Sequence, residues 1–255
     1  MTEKHVQRFA GKAIAYAQYR ERYAPEILLP RLHAWCGLTP DWTVADVGAG
    51  TGMLSDVFLA NGNNVLAIEP NDEMRQMCAD LHRGLPNLEV IAGTAEATGL
   101  ETSSVAMVVA GRALHWFDLD RAMVEFRRIL KPEGWFASIV FGRRESGREE
   151  NERFEFLLRE HTKGHASTRS SYEAYRRLGD FLVRDFHHEE ITDSLELDWD
   201  ALYGMAMSIS HSPRVGDESH TQFERNLRAY FDRYASDGFV TWETRYWINV
   251  GRLSR

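Results

Sequence analysis

Between Trp42 and Phe141 short β-branched runs alternate with segments of helical spacing. The runs are TVADV (43–47), NVLAIE (64–69), LEVIA (88–92), VAMVVA (105–110) and WFASIVF (135–141). Between them lie MLSDVFLA, DEMRQMCADLH and AMVEFRRIL, in which apolar positions recur three and four residues apart. Strands that alternate with helices predict βαβ units and an α/β fold with a parallel sheet covered on both faces. VAMVVA, apolar almost throughout, reads as a central strand buried on both sides.

Outside this stretch the pattern changes. Residues 1–35 read as helical, with FAGKAIAYAQYRERY followed by Pro25 and the run ILLPRLHAWC, and Gly37 is placed to close that segment. After Phe141 comes a charged connection, RRESGREENER (143–153), then NERFEFLLREH as a helix, GHASTRSS as a loop and YEAYRRLGDFL as a second helix. FHHEEITDSLELD alternates loosely, as a strand would, and FERNLRAYFDRYA puts Phe223, Leu227, Tyr230, Phe231 and Tyr234 on one helical face. That stripe is core packing or the wall of a cap. FVTWETRYWINVGRL predicts a long final strand.

Composition narrows the function classes. The chain has 255 residues, 44% hydrophobic and 27% charged, which is enough material for a sizeable core and argues against disorder. Lys plus Arg total 30 against 38 Asp plus Glu, a formal charge of −8 that disfavours nucleic acid and anionic membranes as partners. Cys36 and Cys78 are too few for a disulfide framework and suit a reducing compartment. The opening MTEKHVQRF has no apolar signal region and no run is long enough to span a bilayer, so the expectation is a cytoplasmic protein.

The chemistry concentrates at Val44-Ala45-Asp46-Val47-Gly48-Ala49-Gly50-Thr51-Gly52, between a strand and a helix. Glycines there allow a tight turn and let a ligand approach the main chain. Glu69 ends the next strand, 21 residues after Gly48, the spacing at which a carboxylate accepts from the hydroxyls of an adenosine ribose. A dinucleotide fingerprint, Gly-x-Gly-x-x-Gly, would need glycine at position 53, where the chain has Met53. As a strand-end carboxylate, Glu69 is expected to carry little of the core, so the fold should survive its replacement by alanine.

Glycines at 48, 50 and 52 resemble the first motif of the class I S-adenosylmethionine-dependent methyltransferases. Glu69-Pro70-Asn71 resembles that family's acidic second motif, Gly93-Thr94-Ala95-Glu96 its third, Ala110 to Phe117 (AGRALHWF) its fourth, and Arg128 to Phe136 (RILKPEGWF) the turn before its fifth strand. FAGKAIAYAQYRERYAP is similar to the leading helices of its small-molecule branch. The resemblance runs over roughly residues 8–142 and is looser beyond.

It implies one Rossmann-like domain over 1–255: a seven-stranded, mostly parallel sheet with an antiparallel last strand and helices on both faces. The core would be about 36–142 plus strands within 183–255, with residues 1–35 and a helical insertion at about 143–184 as a cap. It also implies S-adenosylmethionine as cofactor and a small-molecule acceptor. The cofactor-binding positions implied are Tyr16, Arg20, Gly48, Ala49, Gly50, Gly52, Glu69, Pro70, Met74, Thr94, Ala95, Glu96 and Ala110, with Arg20 toward the cofactor's carboxylate. Thr94 departs from the family's Asp and would contact adenine only through its hydroxyl. Tyr16, Tyr19 and Trp116 are candidates to line the pocket.

His115 falls in a ligand-facing loop, either as a base or hydrogen-bond partner for the acceptor or as the cap of a short turn. No metal site is expected: His161 and His165 lie beside Gly164 in a polar loop, and His187-His188-Glu189-Glu190 alternates across a strand. Two other functions remain open, a non-catalytic module that binds S-adenosylmethionine and, against Met53, a nicotinamide-dependent oxidoreductase.

Overall fold

A computed structural model describes residues 13–161, 172–209 and 212–254. The expected loop at 164–171 and His165 lie outside them, as does the start of the N-terminal segment. Seven strands form one sheet in the order β3-β2-β1-β4-β5-β7-β6. They are β1 (Thr43–Val47), β2 (Asn64–Ile68), β3 (Leu88–Ile91), β4 (Val105–Ala110), β5 (Leu130–Arg143), β6 (Leu182–Leu197) and β7 (Val240–Leu253). The first five are parallel, and β7 runs antiparallel to both β5 and β6. The α/β reading and the antiparallel last strand are therefore correct.

The helices are α1 (Ala13–Tyr19), α2 (Pro25–Cys36), α3 (Ser55–Ala60), α4 (Asp72–Leu81), α5 (Leu119–Ile129), α6 (Glu149–His161), α7 (Tyr172–Arg176), α8 (Leu178–Phe181), α9 (Trp199–Ser208) and α10 (His220–Tyr234). One face of the sheet, with Val44, Met107, Val109, Ile139 and Ile248, packs on Leu28 and Leu32 of α2 and Val57 and Phe58 of α3. The other, with Ala45, Val108, Ala110 and Phe136, packs on Met123 and Phe126 of α5 and Tyr175 and Leu178 beyond β5. Gly37 ends α2 as expected, in the left-handed region at φ 69°, its N–H donating to the carbonyl oxygen of His33.

A third apolar cluster stands apart from these two. Phe154, Leu157 and Leu158 of α6, Leu202 and Met205 of α9, and Phe223, Leu227 and Phe231 of α10 close over Val240 and Trp242 of β7. The aromatic stripe of 223–234 is thus core packing of a helical layer. That layer draws on α6 from the segment after β5 and on α9 and α10 from the connection between β6 and β7, whereas α7 and α8 pack in the second cluster. Tyr19 belongs to the helical layer too: a Cβ on Gly204 would fall 2.3 Å from the Tyr19 ring, which places that tyrosine against α9 rather than in a pocket.

β5 also starts earlier than expected. Leu130 already pairs with Val105, and a register shift with Glu133 at φ 64° absorbs the Lys-Pro-Glu-Gly turn inside the strand. No helix among the described residues is long and apolar enough to cross a membrane.

Candidate functional site

Parallel strands point one way, so the loops after β1, β2, β3, β4 and β5 gather at one edge. The crevice lies where β1 has β2 on one side and β4 on the other. The loop after β1 opens it. Gly48, Gly50 and Gly52 all have positive φ, at 73°, 59° and 90°. Their surroundings divide the work. A Cβ on Gly48 would lie 2.5 Å from Cβ of Ala113, and one on Gly52 would lie 2.6 Å from His82 Cε1 and 2.9 Å from Cys78 Sγ. These two glycines permit packing against the neighbouring elements. Nothing lies within 4 Å of a Cβ on Gly50, so the middle of the loop presents open backbone.

The residues beneath Gly52 are fixed. His82 Nδ1 donates to the Cys78 carbonyl oxygen at 2.7 Å and Nε2 to Asp56 Oδ1 at 2.8 Å. The bond to Asp56 holds the imidazole far above its ordinary range, at about 10.

Glu69 is 6% exposed and has both carboxylate oxygens engaged. Oε2 accepts from Gly50 N and Oε1 from Asn71 N, each at 2.8 Å. Burial pushes its carboxyl up despite the two N–H bonds and the nearby Arg75. Glu69 thus also clamps the glycine loop to the start of α4. Each oxygen keeps a further lone pair for a ligand hydroxyl.

Asn71 caps α4, its Oδ1 accepting from Met74 N at 2.9 Å, and Met74 is buried beneath. Pro70, half-buried, joins the two. After β3, Thr94 and Ala97 exchange backbone bonds in a tight turn that buries Ala95. Glu96 Oε1 accepts from Asp118 N at 2.8 Å and ties this turn to the start of α5. Ala110 ends β4 fully buried.

On the other side of the crevice, the Arg20 guanidinium lies 5.2 Å from the Tyr16 ring centroid. Arg20 Nε is buried and has no hydrogen-bond partner among the described residues, and the same holds for Asp46 Oδ1 beneath the loop. Asp46 Oδ2 accepts from Ser55 Oγ at 2.7 Å, and burial pushes the Asp46 carboxyl up to about 7. His115 Nδ1 stands 3.5 Å from Tyr175 Oη, and the His115 and Trp116 rings have centroids 4.5 Å apart. The loops thus bring Gly48 to Gly52, Glu69, Thr94 to Glu96 and Ala110 to one edge, with Tyr16, Arg20 and His115 flanking it.

Two neighbours escaped the sequence reading. Arg112, just after β4, gives Nη1 to Glu21 Oε2 at 2.5 Å and Nη2 to Met53 Sδ at 3.5 Å. Burial works against the Glu21 carboxylate, but the Arg112 and Arg20 guanidiniums outweigh it and hold its pKa below the ordinary value. The one available signal was a charged residue directly after an apolar central strand, which calls for a partner.

Residues 45–138 match the family described as the methyltransferase domain. An uncharacterised methyltransferase of Mycobacterium tuberculosis is 36% identical over 125 residues, 49% of this chain and 48% of that one. A malonyl-[acyl-carrier protein] O-methyltransferase of Methylococcus capsulatus is 32% identical over 106 residues, covering 40% and 38%. Each match thus takes in about half or less of the relative's length. Among solved structures, a protein of Anaeromyxobacter dehalogenans assigned as a type II methyltransferase superposes over 92% of this chain and 98% of its own, with TM-score 0.59 and 21% identity. It shares the fold. Strand order, glycine loop and acidic strand end agree with the matched segment: residues 45–138 match the methyltransferase domain, and the chain is similar to methyltransferases over about half its length.

Proposed function

We propose that this protein transfers a methyl group from S-adenosylmethionine to a small-molecule acceptor by in-line displacement. The observation that carries the reading is the open backbone at Gly50 with the Glu69 carboxylate fixed beside it. The cofactor, when bound, supplies a sulfonium methyl whose carbon–sulfur bond breaks to leave a neutral thioether. The residues present fit such a group. Glu69 would accept from the two ribose hydroxyls, and Gly48, Ala49, Gly50 and Gly52 would let the ligand lie against main chain. Pro70, Met74, Thr94, Ala95 and Glu96 would border the adenine, with Ala95 offering backbone where Thr94 lacks a carboxylate. Arg20, whose Nε is buried without a partner among the described residues, would take the cofactor's carboxylate, next to Tyr16 and Ala110.

A donor that arrives activated needs mainly alignment with the acceptor, so no triad is required. His115 would accept a proton, or a hydrogen bond, from an acceptor whose nucleophile is a hydroxyl or amine. The chain's charge of −8 argues against a nucleic-acid acceptor, and its buried free thiols at Cys36 and Cys78 suit a cytoplasmic setting. Isothermal titration tests the reading. S-adenosylmethionine and S-adenosylhomocysteine should bind saturably and NAD should not. Release of S-adenosylhomocysteine with an acceptor then separates an enzyme from a non-catalytic binding module.

A further inference from the structure

Beside the C-terminal end of β5 lies a cleft of about 320 Å³ whose lining includes Arg143, Arg144, Arg176, Arg245 and Trp247, with Glu145 as its one acid. Four arginines in one lining run against a chain whose formal charge is −8. They come from three separate elements, β5 and its following loop, α7, and β7, so the fold and not a local charge run assembles them.

The four are not equivalent. Arg143 is spent on structure: Nη1 donates to the carbonyl oxygens of Arg144 and Asn151, and Nη2 donates to Glu155 Oε2 at 2.8 Å. Arg144 uses Nη1 on Glu243 Oε1 at 2.6 Å, and Arg245 uses Nη1 on Glu190 Oε2 at 3.2 Å while its guanidinium lies 5.4 Å from the Trp247 ring centroid. Each of these two keeps further N–H donors on its fork. Arg176 is exposed and has no ion-pair partner among the described residues. Planar forks with spare donors around an aromatic floor match a carboxylate or phosphate.

The cleft also borders the methyl-transfer site. The Trp247 ring stacks on Tyr175 with centroids 6.0 Å apart, and Tyr175 Oη is 3.5 Å from His115 Nδ1. One aromatic wall therefore runs from the arginines to the loop after β4. We propose that this cleft is the acceptor site and that the acceptor carries a carboxylate or phosphate held by Arg144, Arg176 and Arg245. This rests on the methyl-transfer reading above. Where the held carboxylate is itself the nucleophile, an oxygen lone pair forms the new O–CH3 bond as the sulfonium C–S bond breaks. The sulfur keeps that electron pair, no proton moves, and the product is a neutral ester with weaker hold on the arginines. Where the anion lies apart from a hydroxyl or amine nucleophile, the proton passes to His115 and the product stays charged.

The test titrates the intact chain with succinate, inorganic phosphate and the neutral succinamide. At least one of the anions should bind saturably and succinamide should not. Arg176→Gln and Arg245→Gln should each raise the anion's Kd about tenfold or more, the scale of one lost charge-assisted hydrogen bond. Both should leave S-adenosylmethionine affinity and the unfolding midpoint near wild type. With turnover on a panel of acids, KM should rise more than kcat falls, and mass spectrometry of the product distinguishes ester from distal methylation. Absence of binding by both anions, or binding unmoved in both variants, overturns the proposal. Failure of S-adenosylmethionine to bind would instead remove the cofactor reading, and the anion titration would still report on the cleft.

Discussion

Replacing Glu69 by alanine separates the two tasks assigned to its carboxylate. The substitution removes the acceptors of Gly50 N and Asn71 N, both at 2.8 Å, from a residue only 6% exposed. A buried donor left alone costs about 1–3 kcal/mol. Gly50 faces open space, so water can replace its lost acceptor, and the cost falls mainly at Asn71 N. Removing a carboxyl whose pKa is raised by burial gives some of this back, so the net loss of stability should be about 1–2 kcal/mol. Cofactor affinity should fall further, because hydrogen bonds to a charged group contribute about 1.5–3 kcal/mol. That corresponds to about a 10- to 150-fold rise in Kd for S-adenosylmethionine. Urea unfolding reports the first quantity and isothermal titration the second. Glu69→Gln, which keeps one acceptor oxygen, should fall between alanine and wild type on both. An unchanged unfolding midpoint would refute the clamp, and an unchanged Kd in a folded variant would remove Glu69 from the ribose site.

Gly52→Ala should destabilise by roughly 2–4 kcal/mol, combining left-handed strain at φ 90° with a Cβ only 2.6 Å from the His82 ring, as read by urea unfolding. Asp46→Asn tests the buried carboxyl raised from 3.8 to about 7. The folded state keeps that proton over this window, so wild-type stability from the group is full below about 3.8 and lost as pH rises to about 7. The variant should therefore gain on wild type with rising pH across the window, and a pH-independent difference would contradict the assignment. Glu21→Gln strands Arg112 without its buried partner and should cost about 3–5 kcal/mol at neutral pH. Because the folded pKa of Glu21 is lowered, its contribution is present above about 4.5 and disappears as pH falls through the folded value, so the cost should shrink in acid.

The parallel half of the sheet was legible because its strands are buried on both faces. VAMVVA and TVADV give nearly unbroken apolar runs, and amphipathic α4 and α5 with visible periods separate β2, β3, β4 and β5. Helix α9 was missed for the converse reason. Trp199–Ser208 packs Leu202, Met205 and Ala206 into the helical layer and Gly204 against Tyr19, so it shows little polar face along ALYGMAMS. An Asp at its start, Asp198, which accepts from Ala201 N at 2.8 Å, was the only local sign of a helix.

The candidate site divides along a similar line. Its glycines and Glu69 were readable because one βαβ unit fixes both their spacing and their meeting point. Glu21 and Arg112 stand 91 residues apart and meet only through tertiary packing. The arginines of the cleft are spread from position 143 to 245, beyond the reach of any local pattern. The glycine loop and Glu69 thus sit on a contiguous segment, whereas the arginines of the proposed acceptor cleft are supplied by β5 and its following loop, α7 and β7. That division has a physical origin. Cofactor contacts go largely to main chain at turns, whose geometry a short sequence dictates. In the proposed cleft the acceptor contacts would go to side chains projected from elements distant in sequence, so their convergence depends on how the insertion after β5 settles against the last strand.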